Sequence, residues 1–327
     1  MSRVSRQKNI AGYIFIGPWL IGFICFAIYP LVYSLGLSFT DWNILESPNF
    51  VGLANYKHMF LNEDFWAALK VTFIYSFVSV PFGLLIGILL AILLNQKMRG
   101  IRIFRTIFYL PAVASGVAVS MLWLWVLDPD FGLINMFLSY IGIEGPNWLS
   151  SSKTALVSLI IMSFWGVGGS MVIFLAGLQG ISITLYEAAE VDGAGPLRKF
   201  ISITIPMLTP TIFFNLILGV INSFQVFTQA LVMTGGGPGN STLFYVLYLY
   251  RNAFEFFKMG YASALGWVLF IIILLFVLIL FKTSGNWVHY EFDHGASSKS
   301  SKKKRKLWNK QDQHGKEDGH AAKKVRI

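Results

Sequence analysis

Residues 262–282 of the chain run ASALGWVLFIIILLFVLILFK, with no charged side chain before Lys282. At 1.5 Å rise per residue, a helix of about 20 apolar residues crosses the ~30 Å hydrocarbon core of a bilayer. Working outward from this stretch, comparable apolar runs occupy 10–39, 67–94, 106–127, 154–178 and 209–232. Over the 327 residues the hydrophobic fraction is 55% and the charged fraction 13%, where a soluble domain carries about 25% charged residues. Six such runs cannot all be buried inside one soluble domain of this size. The expected fold class is therefore all-α: a polytopic membrane protein with six transmembrane helices. Residues 1–9 precede the membrane domain of 10–282, and 283–327 follow it as a basic tail.

Charge placement predicts orientation, because Lys and Arg collect on the cytoplasmic side. Arg3, Arg6 and Lys8 precede the first run, and segment 95–105 carries Lys97, Arg99, Arg102 and Arg105 without an acid. Segment 179–208 adds Arg198 and Lys199. The intervening segments 40–66 and 128–153 are acidic, with Asp41, Glu46, Glu63 and Asp64 in one and Asp128, Asp130 and Glu144 in the other. The alternation places both termini in the cytoplasm, and segment 233–261 outside despite Arg251 and Lys258. The net charge is +10, and much of it lies in the tail, with the run Lys302, Lys303, Lys304, Arg305 and Lys306. Beside an anionic leaflet that tail suits membrane lipid, and no nucleic-acid partner is expected.

Pro18 and Pro30 should kink the first span rather than break it, since neighbouring groups in a membrane bundle re-satisfy the freed carbonyls. The run 10–39 is too long for a signal-peptide core and lacks a small-x-small exit. Cys25, the single cysteine, excludes an internal disulfide and a multi-cysteine metal site. No metal is expected, and the histidines His289, His294, His314 and His320 are scattered. Trp42, Trp66, Trp123, Trp125, Trp148 and Trp287 fall near span ends, where an aromatic belt or helix packing would use them.

The segment between spans four and five holds the most informative pattern. It runs Thr184-Leu185-Tyr186-Glu187-Ala188-Ala189-Glu190-Val191-Asp192-Gly193-Ala194-Gly195-Pro196. Thr184 and Glu187 have the capping-box spacing; Gly193 and Gly195 can close the helix and Pro196 prevents its continuation. A second amphipathic stretch follows, with Leu197, Phe200, Ile201 and Ile203, before Pro206 and Pro210 lead into span five. The residues by themselves fit either a surface helix that receives a partner or an ordinary solvated loop helix.

This segment resembles the Glu-Ala-Ala loop of ABC importer permeases, in which the triplet is followed by three residues, Gly, nine residues and Ile-x-Leu-Pro. Glu187, Ala188, Ala189, Gly193, Ile203 and Pro206 match in register, and Ile205 stands where Leu is usual. Asp192, Ala194, Phe200 and Leu185-Tyr186 resemble the carbohydrate-uptake branch. So do Thr234-Gly235-Gly236-Gly237-Pro238-Gly239-Asn240-Ser241-Thr242, Tyr250-Arg251-Asn252-Ala253-Phe254 and Gly260-Tyr261-Ala262-Ser263-Ala264. These stretches are most similar to the larger maltose permease subunit and the first glycerol-3-phosphate permease subunit. The resemblance covers the chain from the first span to about Lys282, without the long soluble insertion of the maltose subunit.

The resemblance implies a type I ABC importer permease fold and a multi-pass protein of the bacterial cytoplasmic membrane. It implies a second, similar permease as partner in a heterodimer, two ATPase subunits docked on the helix around Glu187–Gly193, and an extracytoplasmic solute-binding protein. The chain itself would be non-catalytic and bind no cofactor. ATP and Mg would be used by the ATPase partner, consistent with the lack of a Gly-x-x-x-x-Gly-Lys-Ser/Thr phosphate loop anywhere in the sequence.

In span five Asn215, Asn222 and Gln229 recur every seven residues on one helical face, and Gln225 lies one turn from two of them. Polar groups in a membrane helix face the bundle interior. They can hydrogen-bond between helices or line a substrate path; Phe224 and Phe227 could stack on a sugar ring or face lipid. Gly166, Gly168, Gly169 and Ser170 in span four suit close helix packing. Gly235–Gly239 suits a turn that could touch the binding protein. The reading is the permease subunit of an ATP-driven, binding-protein-dependent importer of a sugar or oligosaccharide. The alternatives are a permease for a non-sugar substrate such as glycerol-3-phosphate or polyamine, a self-sufficient secondary transporter or channel, and a membrane-embedded enzyme.

Overall fold

The computed structural model describes residues 15–289, apart from residue 97. Residues 1–14, Lys97 and residues 290–327, which carry most of the expected N-terminal segment and basic tail, lie outside the described residues. The chain divides into two compact units, one formed by residues up to Gly180 with Thr211–Gly285, the other by Ile181–Pro210 with residues from Asn286 on.

The first candidate span, Phe15–Leu37, comprises α1 (15–23), a π turn at Ile24–Ile28 and α2 (Tyr29–Leu37). The Tyr29 N–H reaches back to the Ile24 carbonyl. The widened turn sits directly before Pro30, whose ring would otherwise clash with the carbonyl four residues earlier. After it come a two-residue antiparallel pair, β1 (Thr40–Asp41) and β2 (Asn49–Phe50), and then α3 (Ala54–Leu61). This pair is a small departure from an all-helical chain. α4 (Glu63–Leu94) begins where the Asn62 side chain accepts the Asp64 N–H at 2.8 Å, and Glu63 and Asp64 favour the positive end of its dipole.

Three expected spans are not single rods. α5 (Ile101–Val113) and α6 (Gly116–Val126) meet at a bend of 101°, just after Pro111. α8 (Ala155–Trp165) and α9 (Gly168–Gly180) meet at 42° across Gly166-Val167. α12 (Ile205–Phe224) stops before α13 (Thr228–Met233). By length and composition the described residues hold four helices able to cross a membrane, or six if each bent pair is one span. Between the spans lie α7 (Leu133–Tyr140), α10 (Ile183–Val191), α11 (Pro196–Lys199) and α14 (Tyr245–Tyr250), and α15 (Met259–Ser284) is the last.

Close approach in the bundle depends on small residues. A Cβ at Gly168 would collide with the Phe108 backbone oxygen where α9 crosses α5, and one at Gly260 would collide with the Thr40 carbonyl. Gly87 of α4 leaves room for the buried Phe174 of α9. Arg105 donates from Nε and Nη2 to the Leu94 carbonyl at 3.1 and 2.7 Å, which satisfies an orphan acceptor at the end of α4.

The core centres on Tyr245, fully buried in α14. Its N–H donates to Thr72 Oγ1 of α4 at 2.9 Å, and its hydroxyl donates to the Leu265 carbonyl of α15 at 2.9 Å. Burial pushes the phenol pKa well above its ordinary value, so the group stays a neutral donor. Phe224 packs edge-on against Phe73 and also touches Phe276. It is core rather than sugar- or lipid-facing. Large apolar side chains remain exposed along α1, α4, α5 and α15, among them Phe26, Leu89, Ile107 and Phe281. Such an apolar exterior is unfavourable in water and suited to lipid.

Candidate functional site

Two regions carry the residues singled out from sequence. The first is the segment 181–210. α10 starts after Ser182, which adopts extended backbone and makes no side-chain cap. Thr184 lies inside the helix, so the expected capping box does not form; Ser182 Oγ and Thr184 Oγ1 instead share a hydrogen bond of 2.7 Å. The far end is closed as the glycine pattern predicts. Gly193 has φ +74°, the Ala194 N–H bonds to the Ala189 carbonyl at 2.8 Å, and the Gly193 N–H bonds to Glu190 at 3.0 Å. This paired closure is the Schellman arrangement, which needs a residue at ease with positive φ. Gly195 does not take part in it; it precedes Pro196, which opens α11 at the position where a missing N–H costs nothing.

The two short helices are tied together. Lys199 Nζ pairs with Glu190 at 2.9 Å, and the Tyr186 and Thr204 hydroxyls lie 2.9 Å apart. Ile203 falls in a π turn, Phe200–Thr204, directly before Pro206, repeating the arrangement ahead of Pro30. Glu187, Ala188, Asp192 and Gly193 are exposed, Ala189 and Ala194 are half-buried, and the apolar Val191, Leu197 and Ile201 also point outward. An exposed apolar patch on a short, self-closed helix pair is a surface shaped for a protein partner.

The second region is a cavity of about 570 Å³ in the bundle. α12 contributes Asn215 and Asn222, and Gln229 joins from α13. The sevenfold spacing thus brings three amides to one place although the helix breaks between the second and third. Gln225, in the break itself, is exposed and not part of the lining. Asn215 is buried and donates Nδ2 to the Thr211 carbonyl one turn back at 3.0 Å. Phe227 packs on Tyr250. Across from these, α4 supplies Tyr75 and Ser79, and α8 and α9 supply Ser163, Trp165 and Ser170. Sequence reading missed this wall. A signal was there: Tyr75 and Ser79 are four residues apart, and Ser163 and Ser170 seven, in otherwise apolar runs. The bend at Ala114–Gly116 also reaches the cavity, with Gly116 close to Thr228.

The lining of amides, hydroxyls and one indole carries no Asp, Glu, Lys, Arg or His. Such groups can exchange hydrogen bonds with hydroxyl-rich ligands, and an indole offers an apolar face. Among the described residues there is no group of three or more His, Cys, Asp or Glu placed to hold a metal ion. Trp123 packs against Trp165 and Trp148 bonds to Asn135, while Trp66 and Trp125 are exposed; the tryptophans divide between packing and surface.

Comparison with known proteins adds to this geometry. Residues 83–292 match the model of the family described as binding-protein-dependent transport system inner membrane component. The chain is 47% identical over 295 residues to YesP of Bacillus subtilis (strain 168), described as a probable ABC transporter permease protein, covering 89% of this chain and 95% of that one. It is 34% identical to AraP, the arabinooligosaccharides transport system permease protein of the same organism, covering 86% and 90%. Among solved structures, a chain of a bacterial ABC transporter involved in the import of the acidic polysaccharide alginate superposes with TM-score 0.76 and 27% identity, covering 86% of this chain and 98% of that one. A second structure, the bacterial alginate ABC transporter in complex with an alginate pentasaccharide-bound periplasmic protein, matches to the same degree.

Proposed function

Since this chain belongs to the family of binding-protein-dependent transport system inner membrane components, we propose how its two regions divide the work of a transporter. It is a multi-pass membrane subunit with the type I ABC permease fold, the permease component of an importer of sugars or oligosaccharides. In the proposed arrangement it forms one half of the translocation path beside a second permease. It receives substrate from an extracytoplasmic binding protein and takes its motion from two ATPase subunits seated against α10. Both termini would lie in the cytoplasm with segment 181–210. Hydrolysis of MgATP would belong to the ATPases.

The observation that carries this reading is the convergence of Asn215, Asn222 and Gln229 with the hydroxyl wall of Tyr75, Ser79, Ser163 and Ser170 on one cavity. Polar side chains are costly in membrane helices and are kept where they serve a path or a partner. Support for the coupling role comes from the exposure of Glu187, Ala188 and Asp192 on a helix closed by Gly193. ATPase docking there would bury Val191, Leu197 and Ile201, which stand exposed in the isolated chain.

The test is co-purification from native membranes in mild detergent, with wild type beside Glu187→Lys and Gly193→Asp. Wild type is expected to retain a second permease and an ATPase, and the two variants to lose the ATPase while keeping the permease pair. Recovery of the wild-type chain alone, with substrate flux in liposomes lacking ATP, would overturn the assignment in favour of a self-sufficient transporter.

A further inference from the structure

α7 has the sequence LINMFLSY and carries no charge. Leu133, Met136, Phe137 and Tyr140 follow the i, i+3, i+4, i+7 spacing of a single helical face. All four are exposed, Phe137 at 67% and Tyr140 at 82%. The opposite side, with Ile134 and Leu138, is half-buried, and Ile134 packs on the core. The helix cannot roll to hide its outer face, because Asn135 pins it. Asn135 Nδ2 donates to the Pro129 and Pro146 carbonyls at 3.0 and 3.3 Å, and Trp148 Nε1 donates to Asn135 Oδ1 at 2.7 Å. The stripe is therefore held outward by specific contacts.

The chain leading to it says what covers that face. Met121, Leu122 and Trp125 of α6 are exposed apolar residues in a protein of the inner membrane. Only residues 127–132 separate α6 from α7. Fully extended they would reach about 20 Å, and they are not extended. Asp128 accepts the Asp130 and Phe131 N–H groups, each at 2.9 Å, in a tight turn. α7 thus begins beside the apolar surface of α6, and Phe131, itself 79% exposed, continues that surface onto the stripe. The acids Asp128, Asp130 and Glu144 lie before and after the helix and leave the stripe itself uncharged.

We propose that α7 is an interfacial helix lying in the plane of the bilayer, with Leu133, Met136, Phe137 and Tyr140 set into the boundary between lipid headgroups and acyl chains. Aromatic and long aliphatic side chains on one face of a short helix suit that boundary, where ring bodies meet hydrocarbon and polar tips meet water. The anchor fixes the turn between α6 and α8 at a set depth.

The experiment places a nitroxide on the assembled transporter in phosphatidylcholine nanodiscs. In a Cys25→Ser background, single labels are introduced as Met136→Cys, Phe137→Cys and Tyr140→Cys, with Asp130→Cys and Glu144→Cys as controls. Collision with dioxygen reports lipid, and collision with a water-soluble nickel chelate reports water. The stripe labels are expected to lose nickel collisions relative to the controls while gaining oxygen collisions. Stripe labels open to nickel like the controls would overturn the proposal by placing the face in water. Labels shielded from both reagents would overturn it by placing a protein partner, such as the second permease, on the face.

Discussion

Segment 181–210 and the Tyr245 core are built from opposite kinds of contact. In the first, the defining bonds join near neighbours: Ala194 to Ala189, Gly193 to Glu190, Lys199 to Glu190, and at the longest Tyr186 to Thr204, 18 residues apart. In the second, Tyr245 bonds to Thr72 across 173 residues, and Asn240 bonds to Asp64 across 176. A region held by its neighbours in sequence can keep its shape while its surface is offered to a partner. A region held by distant partners is rigid only as a whole, and that suits the walls of a cavity.

Substitutions should separate the two regions by size of effect. The largest is expected at Gly168→Val, where even a Cβ meets the Phe108 backbone. Overpacking of a closed contact costs about 3 kcal/mol, and the measurement is loss of detergent-solubilised folded protein on heating. Tyr245→Phe should follow. It leaves the Leu265 carbonyl without its donor in a buried site, at about 2 kcal/mol, seen in the same thermal assay. An unchanged midpoint would mean that the long-range bonds do not hold the bundle.

Asn222→Leu tests the cavity without disturbing the fold. Loss of one ligand hydrogen bond of about 1.4 kcal/mol lowers uptake about tenfold at low substrate concentration, with ATPase co-purification unaltered. Gly193→Ala should do the reverse. An alanine held at positive φ costs about 1 kcal/mol, so ATPase association weakens about fivefold while the thermal midpoint stays near wild type. If the two variants gave the same phenotype, the division between path and coupling would fail. The smallest effect belongs to Lys199→Met. Its partner Glu190 is largely exposed, and such surface pairs contribute about 0.5 kcal/mol or less.

Legibility in the sequence follows the same division. Gly193 as a helix stop, Pro196 as a boundary and the small residues of span four could be read from residue types, since each acts through its own backbone or its lack of a side chain. The capping box was misplaced because Ser182 and Thr184 are equally plausible starts by composition, and only backbone geometry distinguishes them. The bends in spans three and four were missed because a hydropathy run records apolar character and not direction. A proline or glycine within such a run is compatible with a straight helix, a kink or a turn of 101°.

By itself the sequence determined that this is a membrane protein of several helices, and which segment carries the family pattern. Both follow from local quantities, the free energy of moving side chains from water to hydrocarbon and the conformational freedom of glycine and proline. Only the tertiary structure decided that Tyr75, Ser79 and Ser163 share a cavity with Asn215 and Asn222, that Phe224 belongs to the core, and that the outer face of α7 is left uncovered by the chain. Those outcomes depend on how four or more helices bend and cross, and packing between distant segments leaves no mark in the spacing of any one of them.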